Sequence, residues 1–193
     1  MRTSPENPPV LNRAGMTLIE MLCVLGILSI IGGVAVTRLN TVAFKMDAAA
    51  RVAHATVQQA QRLALTRQFD VIVSFDQATR RIRVGEDANN DGAIAAGERF
   101  RWKALEDSAR FDAPPVSVLG GGAVAIQGQN LRQVDGMPSI IFRRSGSASS
   151  DLELYIGSKR GDADDFRGVL VTQATGRVEW FKYVGSQWRP GGI

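Results

Sequence analysis

The chain has 193 residues, 45% of them hydrophobic, with 23 basic against 19 acidic side chains, one His and one Cys. A single Cys excludes an intramolecular disulfide framework and leaves no Cys cluster for a structural zinc site, and one His cannot build a multi-His metal centre. The net charge of +4 invites nucleic acid only until it is placed: residues 37–70 carry +3, and everything after residue 70 contributes +1.

The first element in chain order is Met16–Val36, MTLIEMLCVLGILSIIGGVAV, with Glu20 as its one ionisable group. As a helix its 21 residues span roughly 31 Å, the thickness of a bilayer core. No A-x-A pattern follows Val36, so the segment reads as an anchor rather than a removed secretory signal. Arg2 and Arg13 precede it, which places the short amino terminus in the cytoplasm. A carboxylate inside such a run costs a few kcal/mol unless paired or near the headgroups, so Glu20 is either a paired group or an interfacial one. Ser29 and Gly33 make one small-xxx-small face, and Cys23 reads as an apolar packing residue.

From Leu39 the pattern turns amphipathic. Leu39, Val42, Met46, Ala49, Ala53, Val57, Ala60 and Ala64 recur at helical spacing, with Lys45, Arg51, Gln58, Gln59 and Arg62 elsewhere around the axis. No Pro interrupts residues 16–67, so one helix of about 52 residues, roughly 78 Å long, is expected. His54 belongs to its surface or boundary. After Phe69 the period becomes two. Strands are expected at Val71–Phe75, around Ile82 and Val84, and at Phe100–Trp102. Others are Val116–Leu119, Val124–Ile126, Ser139–Phe142, Leu152–Ile156, and a hairpin of Gly168–Gln173 with Arg177–Val184. One long helix followed by many short strands is an α+β organisation, with the helix packed on an antiparallel β-sandwich or curled sheets.

Between the second and third strands lies Asp87-Ala88-Asn89-Asn90-Asp91-Gly92-Ala93-Ile94-Ala95-Ala96-Gly97-Glu98, which fits the calcium-loop pattern D-x-[DN]-x-[DN]-G-x5-E. Asp87, Asn89, Asp91 and Glu98 would give side-chain oxygens to Ca2+ and Ala93 its carbonyl. Its flanks are strands, so it is not an EF-hand. The competing reading is a polar connection whose Asn, Asp and Gly serve as turn residues. No motif sets a nucleophile beside a base, Ser145–Ser150 lacks G-x-S-x-G spacing, and an enzyme is not expected.

The string Arg13-Ala14-Gly15-Met16-Thr17-Leu18-Ile19-Glu20 resembles the cleavage site of type IV pilins and type II secretion pseudopilins. That resemblance implies cutting between Gly15 and Met16 by a prepilin peptidase, N-methylation of the new Met16 terminus, and Glu20 as the fifth residue of the mature chain. Met16 departs from the Phe most often found there. The chemistry is intelligible. A new amine at Met16 is a charge at the edge of hydrocarbon, and Glu20 of a neighbouring subunit would neutralise it and set the register of a filament.

Gln61-Arg62-Leu63-Ala64-Leu65-Thr66-Arg67 entering a strand, Ile140–Ala148, and Gly168-Val169-Leu170-Val171 through Thr175-Gly176-Arg177-Val178 resemble segments of the H-type minor pseudopilins and the related FimT-type minor pilins. The family implies a leader at 1–15, a transmembrane half-helix at 16–36, a stalk at 37–69 and a periplasmic β-rich domain at 70–193. It implies a single-pass protein of a Gram-negative inner membrane. Its partners would be the prepilin peptidase, the assembly platform, and other pseudopilins met through the helix. A loop like residues 87–98 recurs in it. The alternative is a FimT-like minor pilin serving pilus biogenesis or DNA uptake, with Arg177, Lys182 and Arg189 as the DNA contacts. Only the first Arg of that group's G-R-x-R element is present, in Gly176-Arg177-Val178-Glu179, and Glu179 repels phosphate. Nucleic acid is therefore not expected as a partner.

Overall fold

A computed structural model describes residues 17–38, 41–106, 108–120 and 122–192, the side chains of 31–38 excepted. The chain divides into two compact units, residues 1–40 and 41–193. The first contains helix α1, Leu18–Arg38. The second begins with helix α2, Thr41–Arg67. Whether one helix runs through residues 39 and 40 lies outside the described residues.

Helix α2 buries one face completely: Met46, Ala49, Ala50, Ala53, Val57, Ala60 and Ala64. Five of these seven are Ala, which lets the helix axis lie close against strands whose own side chains are large. The helix stops at Gln68, whose positive φ of 60° is the left-handed turn that ends many helices, and its N–H closes on the Ala64 carbonyl at 3.0 Å. The chain then enters β1.

Among the described residues eleven strands form two antiparallel sheets. The strands are β1 (Asp70–Asp76), β2 (Arg81–Asp87), β3 (Phe100–Ala104), β4 (Ala109–Phe111), β5 (Ile126–Gln127), β6 (Arg132–Val134), β7 (Met137–Phe142), β8 (Leu152–Ser158), β9 (Arg167–Val171), β10 (Val178–Val184) and β11 (Gln187–Pro190). The first sheet runs β3-β2-β1-β7-β6, and the second β11-β10-β9-β8-β4 with β5 also pairing β8. Alternation decides which side chains go inward: Val71, Val73, Phe75, Ile82, Ile140 and Phe142 from the first sheet meet Leu152, Leu154, Ile156, Val169 and Val171 from the second. Together with the Ala face of α2 they form one core. Each fully buried large aliphatic or aromatic contributes about 1.5–3 kcal/mol. The α+β class is therefore as expected, and neither sheet closes into a barrel.

Some strands differ from the expectation. Short β4, β6 and β11 were not anticipated, and Val116–Leu119 is not a strand. Its polar backbone groups are taken by side chains instead: the Val118 N–H donates to the Tyr155 hydroxyl at 2.7 Å, and the Val116 carbonyl accepts from Trp188 Nε1 at 2.8 Å.

Polar ties near both ends hold α2 to the sheets. Near its start, Arg167 of β9 is buried and donates from Nε to Asp47 at 2.5 Å and from Nη1 to the Asp164 and Phe166 carbonyls at 2.7 and 2.9 Å. Near its end, Gln61 Nε2 donates to the Gly146 and Thr175 carbonyls, each at 3.0 Å. Gly176 follows directly, at φ 64°, and a Cβ there would stand 2.0 Å from the Gly146 carbonyl oxygen. The three strings that resemble the H-type family thus meet at one place, where they fasten helix to turn.

Candidate functional site

Gly15 and Met16 lie outside the described residues; Thr17 and Glu20 lie within them. Thr17 precedes the first turn of α1 and its Oγ1 accepts from the Glu20 N–H at 3.3 Å, while its carbonyl accepts from the N–H groups of Glu20 and Met21 at 3.1 and 3.2 Å. Thr17-Leu18-Ile19-Glu20 is thus a helix start of the T-x-x-E kind, and a carboxylate in the first turn is favoured by the N-terminal partial charge. Thr17 as the cap was not singled out from sequence, although T-x-x-E before an apolar run is a readable signal. Glu20 is exposed, and among the described residues no cation pairs with it.

Beyond Glu20, α1 presents apolar side chains in every direction. Leu18, Ile19, Leu22, Leu25, Ile27, Leu28 and Ile30 are all more than half exposed. The hydroxyl of Ser29 is spent on its own helix, donating to the Leu25 carbonyl at 2.8 Å, and Cys23 is exposed among these apolar neighbours. A helix apolar all round is built for lipid or for other helices. Among the described residues no helix is long and apolar enough to cross a membrane; the described side chains of α1 run from Leu18 to Ile30, roughly 20 Å of axis.

The 87–98 loop folds on itself. Asp87, fully buried at the end of β2, accepts from the Asp91 N–H at 3.0 Å and the Gly92 N–H at 2.8 Å. Glu98 accepts from Ala88 N–H at 2.8 Å and Ala95 N–H at 2.7 Å, and Asp91 takes the Ala93 N–H and the Asn89 amide, both at 2.8 Å. Burial raises the Asp87 pKa above its ordinary value, the neighbouring Asp91 and Glu98 carboxylates add to that, and the two amides pull against it. Asp87, Asn89, Asp91, Ala93 and Glu98 therefore share one loop, but their oxygens serve its own amides. Among the described residues no three of His, Cys, Asp and Glu are grouped to hold a metal ion. As folded, this donor set does not fit a calcium cage. It does anchor the loop: Ile94 packs against Ile72, Val134 and Ile141 on the outer face of the first sheet, and Asn90 accepts from the Asp70 N–H at 2.9 Å.

The three basic residues weighed for DNA do not come together. Lys182 and Arg189 are cross-strand partners, and Lys182 also stands opposite Arg167, so this row faces α2. Arg177 falls on the opposite alternation and is paired to Glu179 at 2.8 Å. His54 donates from Nε2 to the Val178 carbonyl at 3.1 Å, a helix-to-sheet contact.

Two buried polar networks were not legible beforehand. On the outer face of the first sheet, Arg83 donates to Asp135 at 2.6 Å and Ser74 at 3.2 Å, with Ser139 donating to Ser74 at 2.8 Å. On the second, the Tyr155 hydroxyl donates to Glu153, and burial with that carboxylate pushes its pKa far above the usual phenol value. The first joins residues distant in sequence; in the second Tyr155 and Glu153 are two apart on β8, and the same hydroxyl reaches the distant Val118 N–H.

The family described as the prokaryotic N-terminal methylation motif matches residues 11–36. Among curated proteins there is no significant match. The chain is similar to the minor pseudopilin EpsH from the type II secretion system of Vibrio cholerae, at 17% identity and TM-score 0.49, over 70% of this chain and 95% of that one. It is similar also to the type IV minor pilin FimU of Pseudomonas aeruginosa strain PAO1, at 15% identity and TM-score 0.49, over 75% of this chain and 92% of that one. Likeness of this degree does not extend to individual residues or to roles.

Proposed function

We propose that the chain is a pilin-like filament subunit, a minor pseudopilin of a type II secretion pseudopilus that supports export of folded proteins. The observation that carries this reading is the methylation-motif match over residues 11–36, in which Gly15, Met16 and Glu20 stand at the spacing that cleavage and assembly require. In this reading a prepilin peptidase cuts between Gly15 and Met16 at the cytoplasmic face of the inner membrane and methylates the Met16 amine. Residues 16–36 stay in the membrane and residues 70–193 occupy the periplasm, joined by the stalk at 37–69. The exposed apolar side chains all around α1 support the anchor.

Charge explains the assembly step. The Met16 amine of one subunit and the Glu20 carboxylate of the next would each be costly in hydrocarbon alone and far less so as a pair. Pairing is open only to a cut chain, so cleavage licenses assembly. The incoming subunit is positioned by this contact, while other pseudopilins pack along α1.

A deletion strain scored in parallel for exoprotein secretion and for twitching or DNA uptake tests the assignment. Loss of secretion with motility and uptake intact is expected. Loss of twitching or uptake with secretion intact would instead place the subunit in a type IV pilus.

A further inference from the structure

Strand β3, Phe100–Ala104, ends the first sheet, and all five of its residues are exposed. The hydrogen bonds that bracket its pairing with β2 run from Glu86 N–H to the Arg99 carbonyl at 2.8 Å and from Leu105 N–H to the Arg80 carbonyl at 3.0 Å. By alternation, Arg101 and Lys103 also bond inward to β2, and the N–H and C=O groups of Phe100, Trp102 and Ala104 point away from the sheet. This edge is neither bulged nor covered by another described element.

Its side chains are sorted by face. Arg101 stands opposite Val84 and Lys103 opposite Ile82, both core residues, so the two cations lie on the α2 side. There a groove of about 620 Å³ runs between α2 and β3, with Leu63 and Val84 as apolar lining and Arg67, Arg99 and Arg101 as basic lining. A second, of about 360 Å³, continues it past Val52, Ala55 and Lys103, sharing Val84 and Arg101. Phe100 and Trp102, 54% and 39% exposed, lie on the other face. Among the described residues Arg67, Arg99, Arg101 and Lys103 make no ion pair. Across the two grooves four cations, Arg67, Arg99, Arg101 and Lys103, stand against two carboxylates, Glu86 and Glu98, which leaves the lining basic.

We propose that this edge binds an extended acidic segment of another polypeptide, which adds to the first sheet as a strand beside β3. The unpaired backbone groups at Phe100, Trp102 and Ala104 would supply the ladder, and carboxylates on alternate residues of the guest would meet Arg101 and Lys103. The same charges disfavour the symmetric pairing of β3 with a second copy of this chain. Antiparallel pairing of β3 with itself about Trp102 sets Arg101 directly against Lys103, twice, and like charges opposite one another destabilise the pair. Nucleic acid would satisfy the cations but has no strand to offer the free edge. The inference rests on residues 52–104 and is independent of cleavage after Gly15.

The test uses the full chain in detergent and a fluorescent peptide of alternating Glu and Val, followed by anisotropy. Four controls accompany it: the Lys and Val counterpart, two forms of the acidic peptide that are each N-methylated on the amides of one edge, and a short single-stranded oligonucleotide. The acidic peptide should bind, while the basic peptide and both single-edge N-methyl forms taken together should show the charge and the ladder to be required, one N-methyl form losing binding and the other keeping it. The R101E/K103E double variant, with an unchanged melting temperature, should weaken binding about tenfold or more. Equal binding of both N-methyl forms and the parent peptide, an unaltered affinity in the variant, no binding of the acidic peptide, or preference for the oligonucleotide would each overturn the proposal.

Discussion

The two helices face opposite problems. Helix α2 has a face that its own chain buries completely, from Met46 to Ala64, and the rest of its surface is mostly polar, with Phe44 and Leu65 as exposed exceptions. Helix α1 exposes Leu18, Ile19, Leu22, Leu25, Leu28 and Ile30 all around its axis. Helix propensity does not separate these segments; burial does. The first is completed by the fold it belongs to; in the proposed function the second is completed by lipid and neighbouring subunits. The contrast assigns stability to α2 and assembly to α1, so damage to each should show in a different measurement.

The sharpest way to break the contrast is at Glu20. Changing Glu20 to Ala should abolish incorporation into filaments, read by shearing and immunoblotting, while cleavage and the melting temperature of the globular unit stay as they are. Filaments containing the variant at normal levels would remove Glu20 from the assembly step. Arg167 provides the opposite case. Its guanidinium is buried, and Asp47 is partly open to water, so Arg167→Ala should cost about 2–3 kcal/mol of stability without altering cleavage. Guanidinium unfolding followed by tryptophan fluorescence measures it; a loss under about 0.5 kcal/mol would mean the tie is not needed.

A smaller effect belongs to Asp87. Burial holds its folded pKa above the ordinary carboxylate value, so the stability linked to it is complete below that ordinary value and is lost as pH rises through the raised folded one. With calcium chelated, the melting temperature of the wild type relative to D87N should therefore fall as pH goes from about 4 to about 7. A rise over the same range contradicts the sign. Calcium held by residues 87–98 would reverse the slope by keeping Asp87 ionised, and calorimetry with and without chelator reads that directly.

Periodicity made α2 legible down to its buried residues, and the long alternating strands β1, β7, β8 and β10 were legible for the same reason. Strands β4, β6 and β11 have three, three and four residues, too few for alternation to register, and they exist because longer neighbours offer them a ladder. Val116–Leu119 misled because an apolar, β-rich run says nothing of competing partners, here Tyr155 and Trp188. The calcium pattern located a real, tightly ordered loop, but spacing cannot distinguish oxygens aimed at a cation from oxygens aimed at amides. Likewise Gly176 could be read as a turn residue, yet its contact with Gly146 and Gln61 joins positions far apart in sequence. At the amino terminus the methylation motif is readable because it is local in sequence, while the roles of Gly15, Met16 and Glu20 belong to the proposed function.

The central claim is that Met16, and not Met1, begins the working subunit. Mass spectrometry of the amino-terminal peptide, from the chain purified out of membranes of its own host, tests this most directly. The account predicts a terminus at Met16 carrying one methyl group, and its loss when Gly15 is replaced. A chain that retains residues 1–15 in assembled material, or begins elsewhere, would contradict it.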